Sequence, residues 1–170
     1  MNRPMVLIQS KKTSAVLEEM VEYSTEGFDI LKIPSGMDLP DLSNSKIILA
    51  AELDCAGYCP DLFEIVNTLV ARGERALENS TAVLMLRSNS QFNTKSTAQS
   101  IIFNLNRAGC RFPGHPLVEA IEGYMNFETW EKHMNMPLHD ICMIKSRELV
   151  EKLDRYEPER LATPRILALH

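Results

Sequence analysis

Between Lys46 and Gly109 the chain runs through the same succession of apolar and polar stretches twice. Lys46 to Ala51 (KIILAA) is a short apolar run, Asp54 to Cys59 (DCAGYC) is turn-like, and Pro60 to Glu78 carries apolar residues at helical spacing. The succession then repeats, with strand-like Thr81 to Leu86 (TAVLML), a polar turn over Arg87 to Lys95, and a helical pattern from Ser96 to Arg107. Apolar runs alternating with amphipathic helices predict parallel strands joined by helical crossovers. In open sheets of that kind ligands sit beyond the carboxyl ends of the strands, so the two turns are where function is to be sought.

The remaining elements fit around this centre. Met5 to Gln9 (MVLIQ) predicts a first strand, and Val16, Leu17 and Met20 fall on one face of a helix that Gly27 ends. Phe28 to Ile33 alternates apolar and polar as a strand open on one side would, and Pro34, Ser35 and Gly36 stop it. Met37 to Ser45 is short and polar, which leaves an abbreviated crossover or a single helical turn. In the helix after the third strand, Leu62, Ile65, Val66, Leu69 and Val70 form a core-facing stripe behind Pro60, a residue favoured at helix starts. Ala98, Ile101, Ile102 and Leu105 form the equivalent stripe after the fourth strand, with Gly109 as a left-handed stop. Pro113 and Pro116 confine any fifth strand near Cys110 to Val118 to an edge, because proline donates no ladder hydrogen bond. Asn126 can cap a short helix through Met134, and Pro137 opens a longer one bearing Leu138, Ile141, Cys142, Leu149 and Leu153. The expected organisation is one domain over residues 1–157 followed by a tail over 158–170, where Pro158 and Pro164 break the pattern.

Composition narrows the class. A chain of 170 residues with 45% hydrophobic content fits one core between a sheet and two helical layers. The net charge of -5, with both signs interspersed, offers no basic stripe of the kind that tracks a phosphate backbone, so no nucleic-acid partner is expected. No apolar run approaches the roughly 20 residues that span a bilayer, and the first ten residues lack signal-peptide character. A cytoplasmic protein without a membrane partner is expected. Cys55, Cys59, Cys110 and Cys142 are read as reduced thiols, being too few for a disulfide scaffold.

Five strands with the second and fifth at edges match the order 2-1-3-4-5, whose switch point lies between the first and third strands. The loops meeting there are 10–14 and 52–59, with 87–95 alongside. From Ala51 to Pro60 an apolar strand leads into Gly57, Tyr58, Cys59 and Pro60, similar to a Gly-Tyr-Ser-Pro step, and on these residues the chain resembles the flavodoxin-like proteins related to NAD(P)H-dependent FMN reductases. The likeness continues through Thr81 to Arg87 and on to Gly109, Cys110, Arg111, Phe112, Pro113 and Gly114. It implies a flavodoxin-like α/β sandwich that holds FMN as a small-molecule cofactor, with NAD(P)H as co-substrate. It further implies that Ser10, Lys11, Lys12, Thr13 and Ser14 hold the FMN phosphate. Gly57, Tyr58 and Cys59 would touch the isoalloxazine ring, and Ser88, Asn89, Ser90 and Asn93 would line its other side. Hydroxyls and free amides at a helix start suit a dianion, and Tyr58 can stack on a flat ring.

The sequence departs from the family at the phosphate loop, which is short and contains no glycine, so its backbone has less freedom to curl around an anion. That favours a second expectation, a flavodoxin-like module that binds no flavin and acts through protein contacts. Simpler roles also stand beside the site roles: Ser10, Thr13 and Ser14 as helix-capping residues, Tyr58 as an aromatic packed on the sheet rim, and Cys59 as a small apolar residue. Cys55 and Cys59 have neither redox nor zinc spacing, and His115, His133, His139 and His170 are scattered, so no metal site is expected. Met125, Met134, Met136 and Met143 around Trp130 form a soft apolar group, read as core or as a homodimer contact.

Overall fold

Strands that are apolar on both faces must be covered twice, and the two longest with that character, β3 (Lys46–Leu53) and β4 (Thr81–Ser88), pair in parallel at the centre of the sheet. The structure, a computed structural model, describes residues 4–34, 38–88, 93–113, 117–120 and 135–157. Around the central pair stand β1 (Met5–Gln9), β2 (Ile30–Pro34) and the short β5 (Leu117–Ala120), all parallel, in the order β2-β1-β3-β4-β5. The helices are α1 (Ala15–Thr25), α2 (Pro60–Ala71), α3 (Thr94–Arg107) and α4 (Leu138–Arg155). β5 begins just past Pro116, so no proline interrupts its pairing with β4.

Side chains alternate across the sheet and build two cores. Val6, Ile8, Ile47, Leu49, Ala51, Leu84 and Leu86 pack with Leu62, Ile65, Val66 and Leu69 of α2 and with Ala98, Ile101 and Leu105 of α3. Met5, Leu7, Ile48, Ala50, Val83 and Met85 point the other way, against Leu17 and Val21 of α1 and Leu149, Val150 and Leu153 of α4. A smaller cluster of Met20, Ile141, Cys142 and Met143 joins α1 to α4. Two polar links strengthen that joint: Arg147 donates to the carbonyls of Tyr23 and Glu26 near the end of α1, and His139 bonds the Glu19 carboxylate at 3.0 Å.

The connection from β2 to β3 contains no helix among its described residues. Leu39 and Leu42 instead reach into the α2 and α3 core, with Leu42 only 1% exposed. Arg72 fastens this segment by donating to the carbonyls of Leu39 and Pro40, and the Ser80 hydroxyl donates to the Leu42 carbonyl at 2.6 Å. Two leucines and three hydrogen bonds thus cover the sheet where a helical layer would otherwise lie.

Two expectations need correction. The helix expected from Pro60 to Glu78 ends at Ala71, because Gly73 takes a left-handed φ of 98°. Ala76 and Leu77 keep the apolar spacing beyond it since they pack on the same core, and the Leu77 N–H donates to the Ala108 carbonyl. The central strands also run two residues further than their apolar runs, which places Glu52 and Arg87 in the sheet rather than in the loops. The α3 stop is as expected: Gly109 has φ 96°, the Cys110 N–H returns to the Leu105 carbonyl and the Gly109 N–H to Asn106. The short helix expected over 126–134 and the tail over 158–170 lie outside the described residues. Among the described residues no helix is long and apolar enough to cross a membrane.

Leu42→Ala is expected to cost about 2–5 kcal/mol in urea denaturation, the usual range for emptying a buried leucine site. A loss below about 1 kcal/mol would show that the crossover is not a structural layer. His139 gives a pH signature. Hydrogen bonds to Glu19 and then Asp140 favour its charged form and raise its pKa. The stabilisation is therefore complete below the ordinary histidine value of about 6.5 and fades as pH rises through the raised value. The difference in melting temperature between wild type and His139→Gln should shrink over that window, and a difference independent of pH would contradict the link.

Candidate functional site

At the carboxyl edge of the sheet, Glu52 on β3 and Arg87 on β4 are direct register partners. Arg87 Nη1 donates to Glu52 Oε1 at 2.8 Å, and the two side chains are only 12% and 14% exposed. The pair reaches the start of α1, where Arg87 Nη1 also donates to Ser14 Oγ at 2.8 Å. The Ser14 hydroxyl donates to Glu52 Oε2 at 2.7 Å, its backbone N–H donates to the same oxygen at 3.3 Å, and its Oγ accepts the Leu17 N–H as the α1 N-cap. A strand pair and a helix start are thereby closed into one polar knot.

The rest of loop 10–14 is engaged in the same manner. Ser10, nearly buried, donates its hydroxyl to the Lys12 carbonyl at 2.9 Å and accepts the Glu52 N–H at 3.1 Å. The Lys11 N–H donates to Asp61 Oδ2 on the first turn of α2 at 2.8 Å. Thr13 donates to Glu18 one turn into α1. Lys12 is exposed. The hydroxyls of Ser10, Thr13 and Ser14 thus all make internal bonds, and the amides of Lys11 and Ser14 already face carboxylates. A phosphate ester would need those same donors and would bring a dianion against Glu52 and Asp61. In this arrangement internal acceptors compete for the donors of Ser10, Thr13 and Ser14 that the resemblance assigns to the phosphate of FMN.

The second loop is shaped by Asp54, whose Oδ1 accepts the N–H groups of Ala56 and Tyr58 at 2.9 and 2.8 Å. Gly57 adopts φ 77°, and a Cβ there would lie 2.7 Å from the Asn93 Cβ, so this position needs glycine on both counts. Thr97 donates to the Gly57 carbonyl at 2.7 Å, Asn93 to the Ala56 carbonyl at 3.2 Å and Ser88 to the Asp54 carbonyl at 3.2 Å. The structure thus brings Gly57, Ser88 and Asn93 together, as expected of neighbouring loops at this edge. Asn89 and Ser90 lie outside the described residues. Tyr58 is 48% exposed and stacks on Phe63 with ring centroids 4.9 Å apart. Cys59 is buried at the start of α2 within the α2 and α3 core, and burial raises its thiol pKa. That burial favours its reading as a small apolar residue. Burial likewise pushes the Cys110 thiol up to about 12, which keeps it protonated and inert. Among the described residues no group of three or more histidine, cysteine or acidic side chains could hold a metal ion.

The residues missed from sequence are Glu52, Asp61 and Arg87. One signal was available: Lys46 to Ala51 and Thr81 to Leu86 are apolar runs of equal length, and each is followed at once by a charge, Glu52 and Arg87, of opposite sign. Equal lengths in parallel register bring those charges side by side.

The fold is flavodoxin-like. The chain superposes on a flavodoxin of Streptococcus pneumoniae TIGR4 with a TM-score of 0.61 and 13% identity, over 88% of this chain and 97% of that one. It superposes on the Trp repressor binding protein of Bacillus subtilis with a TM-score of 0.58 and 12% identity, over 85% of this chain and 99% of that one. At such identities the likeness is one of fold. No family model matches the sequence, and no curated protein does.

Because the Glu52 and Arg87 side chains are mostly buried, removing one partner strands the other. Glu52→Ala is expected to cost about 3 kcal/mol or more. Arg87→Met in the Glu52→Ala background should cost much less than it does in wild type. Additive losses in that double-mutant cycle would show that the two groups are not coupled.

Proposed function

We propose that this chain is a flavodoxin-fold module that does not carry FMN through a phosphate cradle and that acts through protein contacts. One observation carries the reading: two amides of loop 10–14, those of Lys11 and Ser14, donate to Asp61 and Glu52. Flavin affinity in a nanomolar complex amounts to about 12 kcal/mol. Charge-assisted hydrogen bonds to a phosphate supply roughly 1.5–3 kcal/mol each, so a loop with two amides and three hydroxyls already engaged forfeits a large share. A second copy of the chain is the simplest partner for such a module.

A second reading, an FMN-dependent oxidoreductase that takes hydride from NAD(P)H, is favoured by the half-exposed Tyr58 ring at the same edge. It requires Glu52 and Asp61 to release the loop, or a flavin held by its ring alone. The test is direct. Purified protein is expected to show no visible flavin absorbance and no shift of its melting transition on adding FMN. A resident flavin at a hundred times its Kd would stabilise by about 2.7 kcal/mol. Yellow protein, or stabilisation of that order, would replace the first reading with the second.

A further inference from the structure

We infer that Glu52 and Asp61 are the chain's own replacements for a phosphate group, and that these two carboxylates, rather than the shortness of loop 10–14, turn phosphate esters away. The inference deepens the proposed function and rests on its reading of the loop as closed. Every kind of donor that an anion at a helix start would use is present here. There are two backbone N–H groups, from Lys11 and Ser14, one hydroxyl, from Ser14, and one guanidinium, from Arg87, which reaches the same hydroxyl. The Ser14 and Arg87 donors meet at the Glu52 carboxylate, whose two oxygens divide the work: Oε2 takes the Ser14 amide and hydroxyl, and Oε1 takes Arg87 Nη1. The Lys11 amide is taken by Asp61 from the other side of the loop.

The two carboxylates come from different elements, β3 and the first turn of α2, and converge on one five-residue segment. Their negative charge also complements the positive end of α1, the service a bound phosphate would otherwise perform. The glycine-free backbone is the rival explanation for phosphate exclusion. The two differ in what happens when charge is removed without changing the backbone. If Glu52 and Asp61 are the occupants, neutral amides in their place leave Arg87 and the α1 start short of an anion, and phosphate becomes a ligand. If backbone shape excludes phosphate, neutralisation changes nothing.

The experiment titrates FMN and riboflavin, which differ by the phosphate, against the full chain by quenching of flavin fluorescence. Wild type, Asp61→Asn and Glu52→Gln with Asp61→Asn are compared, each with its melting transition recorded. The double variant is expected to bind FMN about tenfold or more tightly than riboflavin, the gain from one recovered charge-assisted bond. Adding Arg87→Met should abolish that preference. Asp61→Asn alone, at a half-buried position outside the core clusters, is expected to show a smaller preference of the same sign. It serves as the test if the double variant does not fold. Equal affinity for the two flavins in a folded variant, or a preference that survives Arg87→Met, overturns the inference while leaving the proposed function standing. A wild-type chain that already prefers FMN overturns the proposed function itself.

Discussion

The ion pair between Glu52 and Arg87 fixes what the carboxyl edge of this sheet can do. Both side chains are mostly out of water, a position that costs several kcal/mol per ion unless the charges meet each other and satisfy their remaining hydrogen-bonding capacity. The two charges meet each other and both bond Ser14, so pairing two buried charges dictates how the first loop closes. Ser10 takes the Glu52 amide, and the carboxylate is thereby anchored through its backbone as well. The knot belongs to the sheet register: a slip of one residue between β3 and β4 would turn one charge into the opposite core.

The two halves of the edge follow different physics. On the α1 side, polar groups are matched to one another and the charges cancel locally. On the α2 and α3 side, loop 54–59 is held by Asp54 and by Thr97 and Asn93 at the start of α3, while Tyr58 keeps an aromatic face toward solvent over Phe63. The scaffold is flavodoxin-like, and at 13% identity the fold by itself does not assign the chain a cofactor.

Much of the fold was legible because burial on two faces writes itself as continuous apolar runs, and helices with one buried face as three- and four-residue spacing. Pro60 and Gly109 marked helix ends through backbone restrictions that do not depend on context. The end of α2 was not legible, since Ala76 and Leu77 are buried for tertiary reasons and prolong the helical spacing past Gly73. Nor was the manner in which Leu39 and Leu42 cover the sheet after β2, because two apolar residues in a polar stretch form no pattern. The site was half legible. Loop positions follow from topology, and the capping role of Ser14 follows from residue type. That Glu52 and Arg87 would extend the strands and seize the loop required the register, a property of two segments at once.

Nuclear magnetic resonance of the 15N-labelled chain during titration with inorganic phosphate reads the engaged state of the loop most directly. If Asp61 and Glu52 hold the Lys11 and Ser14 amides, both signals should stay in place apart from the uniform drift caused by added salt. Large, saturating shifts confined to those two amides would show that the donors are open to an external anion, and that the internal carboxylates do not close the site.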